Sequence, residues 1–96
     1  MQIGCPKEIK AQEFRVGLTP EAVREAVAHG HGVTIEAGAG VGAGYEDAAY
    51  AAAGARIVDT AEEVFATADL IVKVKEPQPA ERARLRAGQV LFTYLH

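Results

Sequence analysis

Ninety-six residues make one small domain and not two. Apolar residues form 49% of the chain, but 19 of them are alanine, so 28 larger apolar residues must build the core, with no Trp among them. The formal charge of −3 excludes a nucleic-acid binder that lives on non-specific phosphate contacts, the single cysteine, Cys5, excludes a disulfide framework or multi-cysteine zinc site, and no apolar run approaches the ~20 residues of a membrane span.

The larger apolar residues are mostly Val, Ile and Leu, which fits a compact α/β sheet better than an aromatic-packed helical bundle. Lys7, Glu8 and Lys10 stand where a signal peptide would be apolar, so the expected compartment is the cytoplasm. The chain has neither Ser nor Asn, as a thermophile or a high-GC genome would favour.

In chain order, Met1, Ile3 and Cys5 read as a short strand closed by Pro6, and residues 7–19 as a charged, irregular loop. Thr19-Pro20-Glu21 is a helix start, with Thr as N-cap and Pro in the first turn; Val23, Ala26 and Val27 carry the helix to Gly30. Val33-Thr34-Ile35 is a β-branched strand, and Gly38 to Gly44 is a loop with glycine at every second position. A short alanine-rich helix, Glu46 to Ala53, is stopped by Gly54. Arg56-Ile57-Val58 is the next strand, and Asp59 or Thr60 caps a helix that ends at Ala68. Leu70 to Val74 is the most strand-like run; Pro77 and Pro79 bracket a turn; Ala80 to Arg86 is a charged helix read as a solvated face; Val90 to Leu95 is the last strand.

Strands alternating with single helices predict a mainly parallel five-stranded sheet with helices on both faces, either flavodoxin-like or half of a Rossmann fold. Residues 1–96 are one segment, and the chain stops at His96 where a covering helix would be expected, so it reads as a piece of a longer protein.

Ligands of open parallel sheets bind beyond the carboxyl ends of the strands. Those ends carry Lys7, Glu8, Lys10, Glu13 and Arg15 after the first strand, Lys75 and Glu76 after the fourth, and Tyr94 and His96 at the fifth. Arg15 offers a planar fork for a carboxylate, Lys75 a point charge for a carbonyl oxygen, and His96 a proton near neutral pH, a set suited to reducing a 2-oxo acid. The alternative is that each is a solvated loop charge. In Val72-Lys73-Val74-Lys75, two lysines on one face of a buried strand would be costly. Either the sheet ends at Val74 and both reach water, or one points into a cleft beside Pro77.

Gly38-x-Gly40-x-x-Ala43, with Asp59 further on, matches the dinucleotide fingerprint, yet the following helix starts late, and a plain flexible loop explains the glycines equally. Cys5 reads as a small core residue. His29 and His31 flank a helix end with no third ligand nearby, so no metal site is expected.

Several ordered blocks then carry a resemblance over all 96 residues. Gly4-Cys5-Pro6-Lys7-Glu8-Ile9-Lys10, Glu13-Phe14-Arg15-Val16-Gly17-Leu18-Thr19-Pro20, Glu36-Ala37-Gly38-Ala39-Gly40, Val72-Lys73-Val74-Lys75-Glu76-Pro77 and Leu91-Phe92-Thr93-Tyr94-Leu95-His96 resemble the start of bacterial alanine dehydrogenases. The soluble subunit of proton-translocating transhydrogenases shares the early blocks but does not keep the lysine and histidine of the last two; Lys75 and His96 are both present here.

The resemblance implies reversible deamination of L-alanine to pyruvate and ammonia with NAD. It implies that Arg15 binds the substrate carboxylate, that Lys75 contacts the carboxylate or carbonyl, that His96 is the acid–base residue, and that Tyr94 lines the same pocket. It places the NAD fingerprint in a further Rossmann domain downstream, which demotes Gly38–Ala43 to a structural loop and leaves this segment inactive alone. It also implies a homohexameric parent with small-molecule substrates and no nucleic-acid or membrane partner.

Overall fold

A computed structural model describes residues 1–10 and 13–94. Five strands, β1 (Gln2–Cys5), β2 (Gly32–Glu36), β3 (Arg56–Val58), β4 (Leu70–Lys73) and β5 (Val90–Thr93), alternate with four helices, α1 (Pro20–Ala28), α2 (Asp47–Ala52), α3 (Ala61–Thr67) and α4 (Pro79–Arg82). The sheet is parallel throughout, in the order β3-β2-β1-β4-β5. This is the Rossmann half of the two expected architectures: a flavodoxin-like sheet would put β3 beside β1, whereas here β4 takes that place. The order therefore reverses between β1 and β4.

Helix starts follow local chemistry. Thr19 caps α1 by accepting from the Ala22 N–H, and Thr60 caps α3 by accepting from the Glu63 N–H, so Thr60 and not Asp59 is the cap. The core has two parts, one on each side of the sheet. Val23 of α1 and Tyr50 of α2 pack with Cys5, Val33 and Ile35, and Val64 and Phe65 of α3 pack with Val58 and Ile71. Tyr50 is fully buried, and its hydroxyl donates to the Leu18 carbonyl at 2.7 Å, which satisfies the one polar atom of a large apolar side chain. A Cβ on Gly4 would stand 2.7 Å from Val64 and 2.8 Å from Ala68, so glycine at this point of β1 lets α3 lie close against the sheet.

Three expectations need correction. The sheet ends at Lys73, not Val74. Helix α4 is a single turn, because the residues after it serve another purpose: Arg86 and Gln89 donate to the Phe65 and Ala68 carbonyls at the end of α3, with the Arg86 Nη2 and Gln89 Nε2 bonds to Ala68 both 2.7 Å. The 81–86 stretch is a solvated face only in part: Arg82, Ala83 and Arg86 are exposed, but Glu81 is buried and Leu85 packs on the core. No described helix is long and apolar enough to cross a membrane.

Candidate functional site

The order reversal between β1 and β4 opens a crevice at their carboxyl ends. The loop after β1 supplies Glu8, Glu13 and Arg15, the turn after β4 supplies Lys75, and the residue after β5 is Tyr94. His96 lies outside the described residues.

A buried carboxylate joins the two loops. Glu8 Oε1 accepts from Lys73 Nζ at 3.0 Å and from the Lys75 N–H at 3.2 Å; Glu8 Oε2 accepts from the Val74 N–H at 3.0 Å. Lys73 Nζ also meets Glu81 Oε2 at 2.9 Å, and all three side chains are 1–2% exposed. Glu81 Oε1 accepts from the Gln78 N–H, which fixes the start of α4. Neither expectation for Lys73 holds: it reaches neither water nor a cleft, because two carboxylates make its burial tolerable. Lys10 and Glu76 form a second tie between the same loops, exposed, at 2.7 Å. Lys10 donates to Glu76 and so pulls that carboxyl down to about 2.

Above this floor lie the cations. Glu13 takes Arg15 side-on, with Nε at 3.0 Å from Oε2 and Nη2 at 2.9 Å from Oε1, and the Arg15 N–H also donates to Oε2 at 2.8 Å. The hydrogen bonds from Arg15 hold the Glu13 carboxyl down at about 2. A carboxyl depressed in the folded state favours the fold above its ordinary value of 4.5, and that contribution fades as pH falls towards 2, so the pair stands throughout the neutral range. Lys75 Nζ is 3.9 Å from the same Glu13 Oε1. One carboxylate thus lies against both Arg15 and Lys75.

Tyr94 closes the other side. Its hydroxyl donates to the Gly17 carbonyl at 2.7 Å, tying the end of β5 to the β1–α1 loop, and its ring meets Phe92 edge to face at 5.6 Å. A cavity of about 530 Å³ opens between Arg15, Gly17, Thr19, Tyr45, Val74 and Tyr94. A smaller one, about 260 Å³, lies on the far side of Arg15, lined by Lys7, Glu13, Phe14 and the Gly38–Gly42 loop. The larger is ample for a three-carbon acid and is walled by rings and aliphatic carbon with a cation at one end.

Of the residues singled out in the sequence, Arg15 and Tyr94 line the larger cavity, and Lys75 stands beside Arg15 through Glu13. The network of Glu8, Glu13, Lys73 and Glu81 was not assigned a role there. The Glu13–Arg15 pairing had a visible signal, since residues two apart in an extended loop present side chains to the same side. The Lys73 partners had none, because one comes from the loop after β1, 65 positions upstream, and the other from α4.

The glycine loop does not fit a dinucleotide phosphate. The Gly38 N–H is already taken by Asp47 Oδ1 at 2.8 Å, and Val41–Ala43 form a 3₁₀ turn before α2 opens at Asp47. Gly40 is glycine because a Cβ there would stand 2.5 Å from the Tyr50 ring. Gly40→Val is therefore expected to cost ~1–3 kcal/mol of stability, read from a denaturant midpoint. Loss of NAD binding with an unchanged midpoint would restore the phosphate-loop reading.

Cys5 is buried, and burial pushes its thiol up to about 12, as befits a packing residue and not a nucleophile. His29 is exposed and meets Glu25 of α1 at 3.0 Å, and among the described residues no three His, Cys, Asp or Glu side chains are gathered to hold a metal ion.

Known proteins share the sequence and the fold. Over its full length the chain is 56% identical to an alanine dehydrogenase of Halomonas elongata and 55% identical to one of Mycobacterium tuberculosis, and it spans 26% of each. A solved structure named L-alanine dehydrogenase superposes with a TM-score of 0.95 at 54% identity, covering 100% of this chain and 26% of that one. A transhydrogenase structure from Sinorhizobium meliloti superposes with a TM-score of 0.90 at 34% identity, covering 97% of this chain and 26% of that one. The chain thus spans about a quarter of the length of the relatives it matches. Residues 4–96 match the family model described as the N-terminal domain of alanine dehydrogenase/PNT, and the chain belongs to that family.

Proposed function

We propose that this chain is the N-terminal, substrate-binding segment of an L-alanine dehydrogenase, which interconverts L-alanine with pyruvate and ammonia using NAD. The observation that carries the reading is the convergence of Arg15 and Lys75 on a single carboxylate, that of Glu13, with Arg15 also lining a neighbouring cavity sized for a small acid. Two cations already gathered on one carboxylate support the reading that they take the carboxylate of a substrate. Arg15 binds the carboxylate of the substrate through its planar fork. Lys75 lies against the carboxylate or the adjacent carbonyl oxygen and stabilises negative charge as it grows there. Tyr94 fixes the wall opposite Arg15, and His96 exchanges a proton with the oxygen of the reacting carbon.

NAD, when bound, would supply the hydride acceptor. With the Gly38–Ala43 loop committed to internal contacts, this segment leaves NAD to a downstream domain. Hydride transfer needs the nicotinamide held against the substrate carbon, so the 96 residues alone do not turn over. The relatives named alanine dehydrogenase are the more similar, and Lys75 and His96 are both present, which favours this reading over a transhydrogenase subunit. The parent is read as a cytoplasmic homohexamer.

The test is an amide NMR titration of the purified chain with pyruvate and, separately, with NAD. The expected result is that pyruvate moves signals at Arg15, Lys75 and Tyr94 while NAD moves none, and that NADH oxidation with pyruvate and ammonium stays at blank. Shifts confined to the glycine loop on adding NAD, or turnover above blank, would overturn the reading.

A further inference from the structure

We propose that Glu13 is a positioning residue for the substrate carboxylate: it grips Arg15 along one edge and turns the other edge of the guanidinium into the larger cavity. The inference rests on the reading of Arg15 given above. A guanidinium has two edges that can take a carboxylate, the Nε/Nη2 edge and the Nη1/Nη2 edge. Glu13 occupies the first, at 3.0 and 2.9 Å. Among the described residues Nη1 has no hydrogen-bond partner. Arg15 lines both cavities, whereas Glu13 lines only the smaller one. The grip thus comes from behind.

Glu13 is itself well held. Its side chain is 5% exposed, and its Oε2 takes the Arg15 backbone N–H as well as Nε, so backbone and side chain of Arg15 are set by one carboxylate. An arginine side chain with four torsions loses much freedom when a ligand fixes it, and Glu13 removes that loss in advance. A Glu13 that competed with substrate for the same N–H groups would have the opposite effect on affinity, so the sign of the change discriminates.

In the full-length enzyme carrying this segment, Glu13→Gln is expected to raise the KM for pyruvate about tenfold with kcat changed less than about twofold. Arg15→Lys should raise it by itself, and Glu13→Gln should then add nothing further in the Arg15→Lys background. An unchanged or lowered KM in Glu13→Gln, or the same penalty in both backgrounds, would overturn the proposal. If Arg15→Lys alone left the KM unchanged, the reading of Arg15 would fail first. A second measurement needs no variant: in the side-chain NMR spectrum of Arg15, pyruvate should move the Nη signals and leave the Nε–H signal in place. Movement of Nε–H would mean that substrate displaces Glu13, and the proposal would fall.

Discussion

Lys73→Met is expected to destabilise the fold by about 3–5 kcal/mol, because it leaves two carboxylates, Glu8 and Glu81, buried without a cation. Methionine matches the length of the aliphatic stem, so lost packing accounts for little of this. The measurement is the urea midpoint at unchanged slope. One further result should accompany it. The triple variant Glu8→Gln, Lys73→Met, Glu81→Gln should be far less damaged than Lys73→Met, because no charge is then left without a partner. A single variant within about 1 kcal/mol of the parent would mean that the triad contributes no more than an exposed pair.

His96→Ala, made in the full-length enzyme, is expected to lower kcat by roughly 10²- to 10⁴-fold, the usual worth of a positioned proton donor. The KM for pyruvate should change far less, since the proposed carboxylate contacts, Arg15 and Lys75, are untouched. The limb of the pH–rate profile that belongs to the acid–base group should go with it. A loss confined to KM would reassign His96 to binding, and an undiminished kcat would remove it from the mechanism.

The alternation of strands and helices was legible because each β-branched run is bounded by its own punctuation: Pro6, Gly30, Gly54, and the Pro77–Pro79 turn. The choice between two sheet orders was not legible, since it depends on which edge of β1 receives β4. Arg15, Lys75 and Tyr94 could be placed at one end of the sheet because parallel strands send their carboxyl ends the same way. The Lys73 triad was out of reach for a different reason. A lysine in an apolar strand looks like a strand end when its partners lie 65 positions upstream and on α4. The solvated look of residues 81–86 misled likewise, because helical charge patterning does not reveal that the far side meets a lysine. The fingerprint at Gly38–Ala43 failed on packing: only the Tyr50 ring explains Gly40.

The strand order has a consequence for how the chain is made. Of the five strands the earliest to leave a ribosome, β1, is the central one, and its two neighbours arrive far apart in time. Its β2 edge can be filled once residue 36 has emerged, but its β4 edge waits for residues 70 and 71. Throughout that interval Ile3, Gly4 and Cys5 present one unfilled edge to whatever else is nearby. Glu8 waits with them, a carboxylate in water with no lysine yet to meet. Only when Lys73 is synthesised can the crevice acquire its floor, so nascent chains halted before that residue should lack the site altogether, however much of α1 and β2 they have formed.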